Sequence, residues 1–267
     1  MLHRVNRIEQ RFQSLREQNR KGFVAYIGAG DPNLNATKAL AIRLAESGVD
    51  VLELGVPFSD PLADGLVNQL AAQRGLASGT TPEALLEIVR EIRKQTDVPI
   101  VLYIYFNLIH RRGLQEFIQA AADAGVDGLL SLDLPPEEAD EYEKLMQAAG
   151  LCSIWLIAPT TPEDRIAAIT ARGSGFIYYI SREGVTGMRQ DVVSSLDDRI
   201  ATIRRHTDLP IAVGFGISNA DQVRQVAADC DAVVVGSAIV NKIAEHGHAK
   251  DLEDRVGNFV QELTNAL

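Results

Sequence analysis

Two carboxylic acids stand eleven residues apart in the segment VLELGVPFSDPLADG, residues 51–65. Glu53 interrupts an apolar run that is typical of a buried strand, where another hydrophobic residue would be expected. Because burial favours the protonated form of a carboxyl group, we expect the pKa of Glu53 to be raised toward the range that suits general acid and base catalysis. A structural pair with Lys or Arg is the alternative, but a lone glutamate at the end of a core strand favours the catalytic interpretation. Asp64 follows on a loop that Pro57 and Pro61 stiffen, so the segment is suited to chemistry by two carboxylates.

Two turns late in the chain have the composition of an anion-binding site. They are GFGIS at residues 214–218 and GSA at residues 236–238, and each follows a short apolar run. Glycines allow backbone N–H groups to approach a phosphate, and the amino end of a following helix adds a positive dipole. Such a site needs no Lys or Arg, in keeping with the acidic balance of the chain. Tight strand-to-helix turns are the alternative, but two such turns together favour a phosphate site.

The elements between these segments alternate regularly. Apolar runs rich in Val, Ile and Tyr alternate with helical patterns, as in repeated βα units around a parallel sheet. The length of 267 residues fits one large domain, and no G-x-G-x-x-G motif opens the first unit. We therefore predict an α/β fold, a single (β/α)8 TIM barrel over residues 1–267. Its strands are predicted at 23–27, 49–54, 100–105, 128–132, 153–157, 176–180, 211–214 and 232–235.

An extra helix is predicted at the N-terminus, because apolar residues recur at helical spacing within residues 3–18. This helix is expected to close the bottom of the barrel. The sequence TPE at 81–83 and again at 161–163 places a proline near the first position of a later helix. Glycines mark the ends of helices that precede strands, at Gly48, Gly125 and Gly150.

The overall composition excludes several classes of partner. A formal net charge of −10 argues against nucleic acid and against an anionic membrane surface, since both require clustered Lys and Arg. Cys152 and Cys230 lack the spacing of a metal site, which favours two reduced, buried thiols and predicts no metal. No signal segment opens the chain, and no apolar run approaches the ~20 residues of a membrane span. We expect a soluble cytoplasmic protein.

A barrel of this kind carries its chemistry at the carboxyl ends of the strands. Two loops there are longer than usual: the loop after the second strand, and residues 181–190 after the sixth. The polar and aromatic residues that fall at this face are Glu53, Asp64, Asn107, Asp133, Tyr178 and Arg182.

Five segments, taken in order, closely resemble the tryptophan synthase alpha subunit family. They are GDP at 30–32, LELGVPFSDPLADG at 52–65, SREGVTG at 181–187, GFGIS at 214–218 and GSAIV at 236–240. The resemblance implies a retro-aldol lyase that cleaves indole-3-glycerol phosphate to indole and glyceraldehyde 3-phosphate. It also implies that indole passes to a beta subunit in an alpha2beta2 heterotetramer. The family needs no metal or organic cofactor in this chain, and pyridoxal phosphate is expected only in the partner.

The same resemblance implies roles for individual residues. Glu53 matches the family's acid and base, and Asp64 matches the aspartate that stabilises positive charge at the indole nitrogen. The substrate pocket is expected to include Tyr26, Leu130, Tyr178, Thr186 and Phe215. Phosphate binding is expected from backbone groups at Gly187, Gly216, Gly236 and Ser237. The lid loop is expected to contain Arg182, Gly184 and Thr186, and the partner interface is expected to contain Asp60 and Asn107.

Three positions near the catalytic loop depart from the family pattern. Leu66 stands in place of a usual proline, Asn68 in place of an apolar pocket residue, and Gly28 in place of a usual threonine. Without the proline, Asp64 is expected to be less fixed until a partner binds. The alternatives are a stand-alone indole-producing lyase, a weakly active subunit that mainly activates its partner, and another phosphate-binding barrel of tryptophan or histidine biosynthesis. The last would need a different catalytic pair.

Overall fold

The computed structural model describes residues 6–180, 190–214 and 216–267, with the backbone alone for residues 190–195. Within these ranges eight parallel strands close into a barrel, each paired with the next along the chain, and β8 pairs with β1. The predicted TIM barrel is confirmed, and every strand lies within two residues of its predicted bounds. The strands are β1 (Gly22–Gly28), β2 (Val51–Gly55), β3 (Ile100–Ile104), β4 (Gly128–Ser131), β5 (Cys152–Ile157), β6 (Ile177–Ile180), β7 (Ile211–Gly214) and β8 (Ala232–Val235).

Helices surround the barrel, and several strand-to-strand connections carry more than one. The helices are α1 (Arg7–Glu17), α2 (Leu34–Glu46), α3 (Leu66–Ala77), α4 (Pro82–Arg93), α5 (Phe106–His110), α6 (Leu114–Ala124), α7 (Asp140–Ala149), α8 (Glu163–Thr170), α9 (Gln190–Arg204), α10 (Ala220–Ala227), α11 (Ser237–His246) and α12 (Leu252–Thr264), with a short 3-10 turn at Pro136–Glu138. No helix of the described chain has the length and apolar character needed to cross a membrane.

Helix α1 closes the bottom of the barrel, as the N-terminal pattern predicts. Ile8 and Phe12 are buried, and the Phe12 ring packs against Phe176 with 5.5 Å between centroids. A Cβ at Gly128, the first residue of β4, would lie 3.0 Å from Cδ1 of Ile8. The close fit shows that α1 plugs the amino ends of the strands.

The signals for helix boundaries are mostly confirmed. The Thr81 hydroxyl accepts a hydrogen bond from the Ala84 N–H (3.2 Å), and α4 begins at the following proline. The second TPE segment behaves differently, because the Thr161 hydroxyl closes a turn by accepting from the Ala158 N–H (3.0 Å). Proline 162 therefore precedes α8 instead of beginning it. The glycines predicted to end helices all adopt positive φ: Gly48 (87°), Gly125 (92°) and Gly150 (71°).

Two apolar layers follow from the alternation of strand residues. Along β2, Leu52 and Leu54 pack outward in the layer between the strands and the helices, whereas Val51 lies in the barrel interior. Glu53 has the same parity as Val51 and is fully buried, so its side chain enters the interior. The fold therefore places a carboxyl group inside an apolar barrel.

Candidate active site

Glu53 is buried, and the described part of the chain offers it no partner. Its side chain is 0 % exposed, and neither carboxyl oxygen has a hydrogen-bond partner among the described residues. Desolvation is the cause that raises the pKa of Glu53 from 4.5 to about 8. The structural pair with Lys or Arg, weighed above, is therefore not formed in the described part of the chain. At neutral pH the group is largely protonated and can both donate and take up a proton.

Residues predicted to line the pocket gather around Glu53. Tyr26 on β1 is its register neighbour, and Tyr178 on β6 is close enough for the charge of Glu53 to raise its pKa, after the larger effect of burial. Leu130 on β4 is fully buried in the same interior layer, level with Tyr103. The interior above α1 thus has an aromatic and apolar wall with one carboxyl group in it.

Asp64 is held by two tyrosines that the sequence analysis did not single out. The hydroxyl of Tyr103 donates to Oδ1 (3.0 Å) and that of Tyr105 donates to Oδ2 (2.9 Å). Burial raises the pKa of this half-buried carboxyl, while hydrogen bonds from Tyr105, Tyr103 and Asn68 counteract the rise. The sequence did contain a signal for these tyrosines. Val101, Tyr103 and Tyr105 alternate along β3 and the residue after it, so their side chains lie on the side of the strand that faces the barrel mouth.

The loop that carries Asp64 is fastened to the end of β3. The Phe58 ring packs on Tyr105 with 4.9 Å between centroids, and the Ala63 N–H donates to the Tyr105 hydroxyl (2.9 Å). On the other side, Gln69 Nε2 donates to the backbone oxygen of Asp64 (2.9 Å). These contacts bring the second carboxylate over the mouth of the barrel that contains the first.

Close packing of β1 against α3 depends on small residues. A Cβ at Gly28 would lie 3.1 Å from Cβ of Ala71, so Gly28, one of the departures from the family pattern, lets α3 approach the strand. The contact between β1 and α3 is reinforced by Arg74 of α3, whose guanidinium donates to both oxygens of buried Asp31 (2.7 and 2.8 Å). The GDP segment therefore anchors α3 beside the site.

The predicted phosphate-binding turns lie at neighbouring strand ends. Gly214 on β7 and Val234 on β8 are register partners, and Gly216 and Gly236 each follow by two residues. Gly216 is exposed with φ of 65°, while Ser237 begins α11, whose first N–H groups have no partner within the helix. Backbone N–H groups and a helix amino end therefore follow two neighbouring strands of the barrel, an arrangement that can bind an anion.

Five predicted residues cannot be placed. Arg182, Gly184, Thr186 and Gly187, proposed for the lid and the phosphate site, and Phe215, proposed for the ring pocket, lie outside the described residues.

The two residues predicted for a partner interface are both exposed. Asp60 accepts a hydrogen bond from the Ser59 hydroxyl (2.6 Å), and Asn107 on α5 donates through Nδ2 to Asp133 (2.7 Å). The Phe58–Tyr105 contact joins their two segments, because Phe58 lies two residues before Asp60 and Tyr105 lies two before Asn107.

A cleft opens beside Asp64 at the carboxyl ends of β3 to β6. Its volume is about 970 Å³, and its walls include Ala63, Tyr103, Ser131 and Ile180. That volume is large enough for a ligand the size of a substrate with fused rings and a phosphate.

The described residues of this face include neither a group that could hold a metal nor a disulfide. Cys152 and Cys230 are free and buried, as predicted, and burial raises the pKa of each to about 12. No group of three or more His, Cys, Asp or Glu side chains able to hold a metal occurs in the described ranges. The chemistry that the described side chains offer is proton transfer and charge stabilisation by Glu53 and Asp64.

Comparisons with known proteins identify the family of the chain. The family model of the tryptophan synthase alpha chain matches residues 12–267. The tryptophan synthase alpha chain of Opitutus terrae is 56% identical over 242 residues, 91% of each chain, and that of Geobacter sulfurreducens is 49% identical over 263 residues, 98% of this chain and 99% of the relative. The crystal structure of tryptophan synthase subunit alpha from Legionella pneumophila superposes with a TM-score of 0.91 at 38% identity over 98% of both chains. The chain therefore belongs to the tryptophan synthase alpha chain family.

Proposed function

We propose that Glu53 and Asp64 carry out the reaction of this family, the cleavage of indole-3-glycerol phosphate to indole and glyceraldehyde 3-phosphate. The chain is a carbon–carbon lyase of tryptophan biosynthesis. The observation that carries the residue assignment is the complete burial of Glu53 with no partner among the described residues, and this burial raises its pKa to about 8. Such a carboxyl group is poised for proton transfer in both directions at neutral pH.

The reaction can be written with each proton and electron pair accounted for. Protonated Glu53 donates its proton to C3 of the indole ring, and positive charge develops at the ring nitrogen. Asp64, as a carboxylate, stabilises that charge. The Glu53 carboxylate then removes the proton of the side-chain hydroxyl next to the ring. As the aldehyde forms, the bond between ring and side chain breaks and its electron pair neutralises the ring, which restores protonated Glu53.

The phosphate of the substrate is assigned to the edge formed by β7 and β8. Backbone N–H groups near Gly216, Gly236 and Ser237 would bind it with the dipole of α11. Binding there places the ring end of an extended substrate toward the interior that holds Tyr26 and Glu53. A phosphate held mainly by Lys or Arg side chains would contradict this assignment.

Members of this family work with a beta subunit, and we infer an alpha2beta2 heterotetramer in the cytoplasm, with pyridoxal phosphate only in the partner. The docking face is assigned to Asp60 and Asn107, which are exposed on segments joined by the Phe58–Tyr105 contact. Leu62 lies between Asp60 and Asp64 and is 92% exposed, as expected of an apolar residue that a partner covers. Docking on this loop would couple partner binding to the position of Asp64.

Turnover of indole-3-glycerol phosphate with and without a cognate beta subunit tests the function. We expect cleavage in both cases and an increase of about tenfold or more with the partner, because docking on this loop favours the catalytic position of Asp64. Asp60→Ala should remove most of the increase without changing the rate of the isolated subunit. Leu66→Pro should raise the isolated rate, because it restricts the first residue of α3.

The alternatives predict different results in the same assay. A full rate in isolation that is indifferent to Asp60→Ala would identify a stand-alone indole lyase. A rate near background in both conditions, with normal stimulation of the partner, would identify a weakly active subunit and overturn the proposed roles of Glu53 and Asp64.

A further inference from the structure

Two tyrosine hydroxyls meet the Asp64 carboxylate, one at each oxygen. Tyr103 donates to Oδ1 (3.0 Å) and Tyr105 donates to Oδ2 (2.9 Å). The two residues alternate at the end of β3, so both side chains point toward the barrel mouth. Tyr103 is the register partner of Gly55 on β2 and of Leu130 on β4. Its backbone is therefore fixed by strand pairing on both sides.

The remaining contacts of the two tyrosines differ. The Tyr105 hydroxyl also accepts from the Ala63 N–H (2.9 Å), and its ring packs on Phe58 with 4.9 Å between centroids. Tyr105 thus holds the backbone of the loop as well as the carboxylate. The Tyr103 ring packs edge-on against Tyr26 with 5.1 Å between centroids, and its hydroxyl reaches the loop at the carboxylate. Tyr103 therefore acts on the charged group itself.

The Tyr103 ring is held from within the barrel. It is only 8% exposed and belongs to the same interior layer as Tyr26. A Cβ at Gly55 would lie 2.2 Å from the Tyr26 hydroxyl, so the Tyr26 ring lies directly over the end of β2, where a glycine leaves room for it. Because the Tyr103 ring packs on this fixed neighbour, its hydroxyl is a preorganised donor to the Asp64 loop.

We propose that Tyr103 is a positioning residue, whose hydroxyl holds the Asp64 carboxylate in the orientation that meets the ring nitrogen of the substrate. The inference rests on the proposed function for the identity of that ring nitrogen. Each carboxylate oxygen can accept more than one hydrogen bond, so a tyrosine on each oxygen still leaves acceptor sites for the substrate. With Tyr105 alone, one oxygen would stay bonded while the other could rotate about that bond. The second donor therefore fixes the plane of the carboxylate.

The tyrosine donors to Asp64 are neutral, so each of them affects its ionised state. The titratable or charged groups on the described elements around it are Tyr26 on β1, Glu53 on β2, Asp60 on the loop, Arg74 on α3, Tyr103 and Tyr105 at the end of β3, and Asp133 after β4. Arg74 is bonded to a buried aspartate of the GDP segment, and burial keeps Glu53 largely protonated at neutral pH. Burial first and the charge of Asp64 next raise the pKa of Tyr103 and of Tyr105, so both remain protonated donors. Loss of either donor should raise the pKa of Asp64.

The test variant and its control each remove one tyrosine hydroxyl. Tyr103→Phe removes the donor to Oδ1 of Asp64 and keeps the ring that packs on Tyr26. The matched control is Tyr142→Phe, which removes the hydroxyl of another buried tyrosine. Tyr142 lies on α7, and its hydroxyl accepts from Ser131 (3.3 Å). Both variants keep a buried aromatic ring, so both are expected to fold.

The first measurement follows Asp64 directly, in the full-length protein without substrate or partner. Carboxyl carbons of aspartate are labelled with 13C and titrated by NMR, and the Asp64 signal is identified by its loss in Asp64→Asn. We expect the midpoint of Asp64 to rise by about one pH unit in Tyr103→Phe and to stay unchanged in Tyr142→Phe. An unchanged midpoint in Tyr103→Phe, or an equal shift in Tyr142→Phe, overturns the proposal.

The second measurement is turnover of indole-3-glycerol phosphate in single and double variants. In Tyr103→Phe, kcat should fall about tenfold while KM changes less than about threefold, because the loss is in the transition state. In the Asp64→Asn background the same substitution should change kcat less than about twofold, because the hydroxyl acts through that carboxylate. A tenfold loss in both backgrounds overturns the proposal. A parent protein without turnover contradicts the proposed function instead, and the titration of Asp64 still decides whether Tyr103 acts on it.

Discussion

Buried carboxyl groups in the two halves of the barrel differ in whether they have hydrogen-bond partners. Asp50 and Glu53 stand three residues apart, one just before β2 and one within it, and both are at least 98% buried. Asp50, at the amino end, accepts hydrogen bonds from Arg11 (2.8 Å) and from the Phe23 N–H (2.7 Å). Glu53, further along β2, has no partner in the described chain. The same kind of group is neutralised by pairing at one end and by protonation at the other.

The carboxylates at the amino end of the barrel hold α1 against the strands. Asp127 accepts from Arg7 on α1 (2.8 Å), from Arg93 on α4 (2.6 Å) and from the Ile100 N–H (2.8 Å). A buried ion pair of this kind is weak evidence for stability when compared with an apolar core, but removal of one partner is costly. Burial of a carboxylate therefore does not by itself indicate catalysis. The catalytic role of Glu53 is indicated by burial inside the barrel with no compensating partner among the described residues.

The comparison is most strongly tested by Glu53→Gln, which keeps the shape and removes the proton transfer. We expect turnover of indole-3-glycerol phosphate to fall about a thousandfold, since one group serves both transfers, while substrate binding stays within a few-fold. Single-turnover cleavage and equilibrium binding measure the two effects separately. Activity within tenfold of the parent would remove Glu53 from the chemistry.

The same variant should change how stability depends on pH. The pKa of Glu53 is about 8 in the folded protein and near 4.5 when exposed, so between these values the folded state binds more protons than the unfolded state. The contribution of Glu53 to stability is therefore fully present below pH 4.5 and is lost as pH rises toward 8. Glu53→Gln should gain stability relative to the parent across this window, by a few kcal/mol in order of magnitude. If the denaturant midpoints of the two proteins differed by the same amount at all pH values, the conclusion that Glu53 is buried and unpaired would be contradicted.

Asp64→Asn is expected to have the next largest effect. The amide retains an acceptor for a tyrosine but cannot stabilise positive charge at the ring nitrogen, so turnover should fall about a hundredfold. The fold should persist, with a change in unfolding free energy below about 1 kcal/mol, because the half-buried side chain lies on a loop at the mouth. Kinetics and thermal unfolding of one preparation give both values, and an unfolded variant would make Asp64 a structural residue.

The sequence predicted those features of the buried carboxylates that depend on local pattern. Strand alternation and the interrupting charge located Glu53, and the repeated βα units located the barrel that buries it. The pattern could not distinguish Glu53 from Asp50, because the partners that satisfy Asp50 come from α1 and β1, which only the closed barrel brings to it.

The surroundings of Asp64 were missed for the same physical reason. Tyr103 and Tyr105 are about 40 residues from Asp64 along the chain, and only the pairing of β2 with β3 places them beside its loop. Residues that act through distant neighbours need the fold before they can be assigned.

The smallest effect on turnover is expected from a carboxylate at the amino end of the barrel. Asp127→Asn keeps the shape of the carboxylate at the amino end but removes the negative charge that Arg7 and Arg93 both contact, and the side chains of these arginines are only 21% and 10% exposed. We expect the free energy of unfolding to fall by about 3 kcal/mol, as when one partner of a buried pair is removed. Turnover per folded molecule should stay within about twofold of the parent, because Asp127 lies at the opposite end of the barrel from Glu53 and Asp64. Denaturant unfolding and turnover at a temperature well below the midpoint measure the two quantities. If the folded variant instead lost turnover as Glu53→Gln does, both ends of the barrel would contribute to catalysis and the distinction between paired and unpaired carboxylates would fail.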